Sequence, residues 1–518
     1  MYITQGLHRT AQLHPDRLAT IFGDRRRRWS EIIDRVGRLA HGLVALGIER
    51  GDRVAVVALN SDLYLEVYYA VAWVGAVIVP GNTRWSMPEH IFAMQDSGAS
   101  FLFIGGNFAN IVEPILQNVA VSATIFMEEG EVPSGMLGYE NIISAHEPIN
   151  DASGHNHDLV ALFYTGGTTG RAKGVMLSHH SLMSNILSSQ ATTPLAPGLV
   201  YLHSPPMFHL GDAAMVYTVT MLAGTHVIVP SFSPENVITA IERERVTDAI
   251  LMPTMLGMMR EYMIKHGGDL SSVVTLAYGA SAISETALNQ AMELFPNAAF
   301  KQAYGQTELS PCATLLLPEH HRTQPNGKSY LRSAGRAILG VDLRIVDENW
   351  KDLPLGTVGE VVVRSDGIML GYWHLPEETA TTLVDGWLRT GDAGYMDDEG
   401  FLYLVDRVKD MIVSGGENVY SAEVENALAA HPAILENAVI GVPDEKWGER
   451  VHAIIRLREG VTITSEAVIA HCKAFISTYK CPRSVEFREM PLPLSAQGKV
   501  LKTELRKPHW KGTSRAIA

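Results

Sequence analysis

The stretch from Tyr164 to His179, YTGGTTGRAKGVMLSH, constrains this chain most, because it ties a change of secondary structure to the binding of an anion. Leu159 to Tyr164 reads as a short apolar strand that runs into small and hydroxylic residues able to bare their backbone N–H groups. Gly166, Gly167 and Gly170 permit close approach, Thr165, Thr168 and Thr169 supply hydroxyls, and Lys173 brings a positive charge. Lys173 precedes Gly174, so the loop lacks the Gly-Lys-Ser/Thr ending of the usual nucleotide P-loop. A polyphosphate cradle of another kind is implied, although a Gly/Thr turn joining two strands would look the same in isolation.

Helical and strand patterns alternate from Ser30 onward, with Glu31 to Leu46 periodic at three and four and Arg53 to Ala58 a short apolar strand. Val54 to Leu65 and Phe101 to Ile111 read as strand-turn-helix segments, and a second α/β stretch runs from Val200 to Phe300. Ser333 to Tyr372 turns strand-rich, patterned for an antiparallel or barrel-like subdomain. The last hundred or so residues predict helices at Ser421 to Ala430 and Ser465 to Ile476 and strands at Asn437 to Val442 and Val451 to Leu457. The expected fold class is α/β. A large N-terminal domain over 1–408 holds two α/β sheets and a β-rich subdomain, and a small, mobile α+β domain follows over 409–518.

At 518 residues the chain exceeds one ordinary core, and 46% hydrophobic with 19% charged residues is a globular composition. A formal net charge of −14 argues against nucleic-acid binding, which needs a basic surface. The one basic run, Arg25 to Arg28, reads as a solvated strand edge, with membrane contact as the lesser alternative. Leu63 to Pro80, the most apolar segment, is broken by Glu66 and reads as a buried helix followed by a strand, so no integral membrane segment is expected. Three cysteines without metal-ligand spacing and an N-terminus without a signal peptide point to the cytoplasm.

Five motifs together resemble the adenylate-forming superfamily of acyl-CoA synthetases, luciferases and peptide-synthetase adenylation domains. They are YTGGTTGRAKG at 164–174, QAYGQTE at 302–308, LRTGD at 388–392, DRVKDMIVSGGENVYSAEVE at 406–425 and SAQGKVLK at 495–502, in the family's order and across nearly the whole chain. The resemblance implies an AMP-forming ligase: a carboxylate attacks the α-phosphate of ATP, pyrophosphate leaves, and a thiol then attacks the acyl-adenylate. The chemistry is sensible by itself, because a carboxylate has no adequate leaving group until it becomes a mixed anhydride.

Residue by residue, the resemblance implies the following roles. Two unit charges 4 Å apart repel by about 4 kcal/mol at an effective dielectric of 20, so carboxylate and phosphate need a cation between them. Lys499 matches the family's catalytic lysine. Glu308 matches the Mg²⁺ ligand, with Thr165 as a further metal contact and Thr307 on the phosphates. Gln302, Ala303, Tyr304 and Gly305 form the loop whose tyrosine stacks on adenine, and Gly279, Ala280 and Ser281 form the wall beside it. Asp392 corresponds to the carboxylate that accepts from both ribose hydroxyls, supported by Arg407. Lys409 stands at the hinge where many relatives carry aspartate. Ser414, Gly415 and Gly416 match the pantetheine tunnel, and Trp447 resembles a residue near the CoA side.

Pro205 to Asp212 corresponds to the motif bordering the acyl pocket, where His209 would gate or orient the carboxylate. The run Leu251 to Ile264 flanks that pocket, and the spacing of Met255, Met258, Met259 and Met263 fits one helix face, with core packing expected for most of them. No carrier sequence follows and the C-terminus lacks a Ser-Lys-Leu address, which disfavours a peptide-synthetase domain and a luciferase. The resemblance leaves a free-standing acid–CoA ligase for a fatty or aryl acid, using ATP, Mg²⁺ and coenzyme A, with a homodimer open. A nucleotide-binding regulator that has lost the chemistry is the competing reading.

Overall fold

The computed structural model describes residues 1–152, 154, 156–165, 172–281, 283–322, 324, 327–407, 410–414, 417–444, 446–494 and 500–510. Two large sheets and two smaller ones carry the fold. In the first, six parallel strands run in the order Ala299–Tyr304, Thr275–Gly279, Asp248–Ile250, Val200–His203, Thr225–Ile228 and Leu18–Phe22. Antiparallel strands close both ends: Thr314–Leu316 and Arg336–Ala337 on one side, Arg25–Arg28 on the other. The second sheet is parallel from Leu159–Thr165 through Val77–Pro80, Arg53–Val57, Phe101–Ile104 and Ala123–Phe126 to Leu137–Gly138. Its other end is antiparallel, through Lys173–Ser178 and Gly371–Tyr372.

Strands buried on both faces read as continuous apolar runs, and VIVP at 77–80 and FLFI at 101–104 are buried at every position. All twelve residues of the helix Asp62–Trp73 are buried too, started by Ser61, whose side chain accepts from the backbone N–H of Tyr64. The apolar segment that suggested a helix and then a strand is therefore an interior element. No helix among the described residues is long and apolar enough to cross a membrane.

A third sheet, Val341–Val346, Gly359–Ser365, Trp387–Met396 and Leu402–Arg407, is antiparallel as its pattern predicts. A fourth combines the long hairpin Ile434–Asp444/Gly448–Leu457 with Ile412–Ser414, Glu417–Val419 and Ser484–Phe487, packed by the helices Ser421–Ala429 and Ser465–Lys473. The whole is the expected mixed α/β architecture, a large N-terminal part and a small α+β C-terminal part.

Two readings of the sequence need correction, and one about the methionines of a helix is borne out. Phe101 to Ile111 is a strand followed by a 3₁₀ helix, Gly106–Ile111, in place of an α-helical start. Arg25–Arg28 is an edge strand but not a solvated one: Arg27 is only 8% exposed, and Arg25 and Arg27 both pair with the fully buried Asp62. The alternation of the strand sends Arg26 outward, to Glu244 at 2.8 Å. The helix Pro253–His266 buries Met259 and packs Met255 and Met263 against the core of the first sheet, whereas Met258 is 50% exposed and faces a cleft.

Candidate active site

A cleft of about 1980 Å³ is lined by strand ends of the first sheet, by residues of the second, and by residues of the C-terminal part. Of the expected phosphate loop, Thr165 and Lys173 line it, as cross-strand partners at the open end of a hairpin. Gly166, Gly167, Thr168, Thr169 and Gly170 lie outside the described residues, as do Lys409, Gly415, Gly416 and Lys499.

The carboxyl ends of two adjacent parallel strands supply the next wall: Gly279 and Ala280 from one, Ala303, Tyr304 and Gly305 from the other. Ligands in open α/β sheets collect at this end of the strands. Two glycines are required by close approach. A Cβ on Gly279 would stand 2.3 Å from the carbonyl of Ala303, and one on Gly305 would stand 2.0 Å from that of Pro311. Gly305 thereby lets the chain turn into the short 3₁₀ helix Thr307–Leu309, which puts Thr307 and Glu308 on the cleft. Ser281 and Gln302 are not on the cleft wall; the two-residue period of the strand gives that face to Lys301 and Ala303.

Glu308 is 8% exposed and accepts a 2.9 Å hydrogen bond from the Tyr372 hydroxyl at Oε1. Tyr372 is held by pairing of Gly371–Tyr372 with Val175 and Met176, and its ring lies under the Lys173 ammonium, 5.0 Å from Nζ. Burial and the neighbouring Glu308 charge push the Tyr372 hydroxyl well above its ordinary pKa, so it stays a donor. Glu308 and Thr165 offer hard oxygen atoms, which fit Mg²⁺. Among the described residues one other group, His452, Glu486 and His509, brings ligand atoms close together, and it is not on the cleft.

Asp392 is 7% exposed and sits behind the cleft wall. Its two oxygens accept from the Tyr304 hydroxyl at 2.7 Å and from Arg407 Nε at 2.8 Å. Arg407, its cross-strand partner, also donates to the Thr390 carbonyl at 3.3 Å. Tyr304 and Arg407 are thus the groups of this cluster that face the cleft, and Asp392 orients both.

His209 stands at the N-terminus of the helix Leu210–Met221, its ring 4.4 Å from that of Phe208, and it lines the cleft. The loop before it is pinned by Asn60, which sequence reasoning did not find: Nδ2 donates to the Pro205 carbonyl at 2.8 Å and Oδ1 accepts from the Met207 N–H at 2.7 Å. The same cleft is lined by Ile186, Met215, Ile250 and Ala277. Val500 and Leu501, directly after Lys499 in the chain, line the cleft from the C-terminal side. Ser414 and Trp447 are not on its wall; Trp447 is half-buried with the Arg483 guanidinium 4.2 Å from its ring centroid.

Residues 7–373 match the AMP-binding enzyme family, and residues 423–499 match the AMP-binding enzyme C-terminal domain. The chain is 38% identical over 500 residues to a feruloyl-CoA synthase of Amycolatopsis sp, covering 96% of this chain and 97% of that one. It is 34% identical over 521 residues to a medium/long-chain-fatty-acid–CoA ligase of Mycobacterium tuberculosis, covering 97% and 89%. The o-succinylbenzoate CoA synthetase of Bacillus subtilis, solved with its acyl-adenylate intermediate, shares the fold with a TM-score of 0.85 at 28% identity, covering 97% of this chain and 98% of that one. The chain therefore belongs to the AMP-binding enzyme family, and within it to the AMP-forming acid–CoA ligases of the adenylate-forming superfamily.

Proposed function

We propose that this ligase makes its acyl-adenylate in this cleft, with the nucleotide against Gly279, Ala280 and Tyr304 and the acid in a limb beyond His209. The observation that carries the proposal is continuity: Gly279, Ala280 and Tyr304, the apolar side chains Ile186, Met215 and Ile250, and the chain segment just after Lys499 border the same space. Lys499 would stand between the carboxylate and the α-phosphate, Lys173 near the departing phosphates, and His209 at the entrance of the limb. Glu308 and Thr165 would hold Mg²⁺, which when bound neutralises charge on the phosphate oxygens. Coenzyme A would then take the acyl group after the C-terminal part, 409–518, turns about Lys409.

Two arms test this reading. ATP incubated with a panel of fatty, benzoic and cinnamic acids, with and without CoA, should yield AMP and not ADP; no AMP with any acid would favour a nucleotide-binding regulator. Lys499→Ala should slow carboxylate-dependent pyrophosphate release about 10²-fold or more, as expected for losing one electrostatic transition-state contact. Thioester formation from preformed acyl-adenylate should suffer much less. Near-normal pyrophosphate release in that variant would remove Lys499 from the role.

A further inference from the structure

The strand register divides the floor of the cleft into rungs. Gly279 faces Ala303 at the nucleotide end, Ala277 faces Lys301 one rung deeper, and Thr275 faces Asp248 one rung deeper again, with Tyr201 beside Asp248. Each rung is two residues, about 7 Å of strand. Lys301 is 8% exposed and Asp248 4%, and both side chains belong to the cleft.

Among the described residues no hydrogen bond or ion pair is made by the Lys301 ammonium. Asp248 is the charge that acts on it, from two strands away. Strand spacing and rise put their Cα atoms roughly 12 Å apart, which leaves a gap between ammonium and carboxylate. Asp248 itself accepts from the Thr247 hydroxyl at 2.6 Å. Burial lowers the Lys301 pKa and raises that of Asp248, each partly offset by the other. The Lys301 ammonium opens onto the cleft with its three donors free of protein partners among the described residues, so an acceptor on a bound acid would meet it directly. A methylene chain filling that end of the cleft would strip water from the ammonium and give it nothing in return, which is costly. A hydroxyl would avoid that cost, because one oxygen can accept from Lys301 and donate toward Asp248.

We propose that the deep end of the acyl limb is a polar subsite, in which Lys301 and Asp248 bind an oxygen at the end of the substrate remote from its carboxylate. The preferred acid then carries a distal hydroxyl on an apolar body, and a plain alkanoic acid is a poor substrate. The proposal rests on the ligase reading and on the acid lying beyond His209.

Matched pairs test it: cinnamate against 4-hydroxycinnamate, benzoate against 4-hydroxybenzoate, and octanoate against 8-hydroxyoctanoate, scored by AMP release in wild type and in Lys301→Met. In wild type, kcat/KM should favour the hydroxylated member by roughly tenfold to a hundredfold in the pair whose length fits, since a site built to hydrogen-bond a hydroxyl rejects the analogue lacking it. In Lys301→Met that ratio should fall to within about threefold of unity while KM for ATP is unchanged. Ratios taken within one variant cancel any loss of folded protein, and the wild-type ratio stands without the variant. A wild-type ratio near or below unity in every pair, or an unchanged ratio in Lys301→Met, would overturn the subsite and leave the ligase standing. AMP from no acid at all would overturn the ligase reading and the subsite with it.

Discussion

Glu308 shows how the role of one residue depends on its neighbours. Its motif was legible, because Gln302 to Glu308 runs from the end of a strand through a glycine required by sterics into a 3₁₀ helix. Its partner was not, since Tyr372 lies 64 residues away and arrives through a two-residue strand paired to another sheet. Removing the hydroxyl with Tyr372→Phe takes one hydrogen bond from the carboxylate and leaves the ring under Lys173. With Glu308 in the proposed role of Mg²⁺ ligand, losing a group that orients it should raise the Mg²⁺ concentration for half-maximal AMP release about tenfold. An unchanged Mg²⁺ dependence would show that Glu308 needs no such support. Lys301 is the opposite case. It stands two residues before Ala303 on the same face of the strand, so its position was legible from the period of two, and only its burial was not.

At the scale of elements, the four arginines at 25–28 illustrate why charge runs mislead. A run of like charges is normally solvated, and the sequence around it gives no reason to think otherwise. The reason lies in the helix Asp62–Trp73, which carries two carboxylates, Asp62 and Glu66, into a site where both are 0% exposed. They demand cations, and the inward side of the strand supplies them: Arg25 reaches Asp62 at 2.5 Å, and Arg27 reaches Asp62 and, at 3.4 Å, Glu66. Arg35 at 2.7 Å and the Tyr139 hydroxyl at 2.8 Å complete the bonds to Glu66. The network ties the edge of the first sheet to a helix whose own strands belong to the second. Asp62→Ala leaves buried guanidinium groups without their carboxylate and should destabilise the protein by about 3–5 kcal/mol in urea unfolding. A loss under about 1 kcal/mol would mean that Glu66 alone satisfies the cluster.

At the scale of the molecule, one contact bears on the proposed rotation. Asp406, in the last strand of the third sheet, accepts from both the backbone N–H and the hydroxyl of Ser421, which opens the first helix of the C-terminal part. Lys502 donates to the same hydroxyl and pairs with Glu425 at 2.7 Å. A carboxylate at a helix N-terminus is favourable, and rotation about Lys409 would have to break this one. Asp406→Ala should therefore slow adenylate formation, by roughly three- to tenfold for a net loss of about 1 kcal/mol, without slowing acyl transfer to CoA from added adenylate. Equal slowing of both half-reactions would count against a latch. The alternation of strands and helices predicted the two large layers, but not which strands adjoin, because that is decided by burial across the whole chain.

The first sheet also sets a waiting time. Leu18–Phe22 pairs with Thr225–Ile228, so the strand made almost first is completed only by a segment about 200 residues later. At the usual 5–20 residues per second of synthesis, the N-terminal hairpin stands beside the ribosome for about 10–40 s before its neighbour exists. During that interval it is an unpaired edge, the kind of surface on which chains aggregate. Its companion strand consists of four arginines, so two such exposed hairpins would repel one another until Asp62 and Glu66 pair with Arg25 and Arg27.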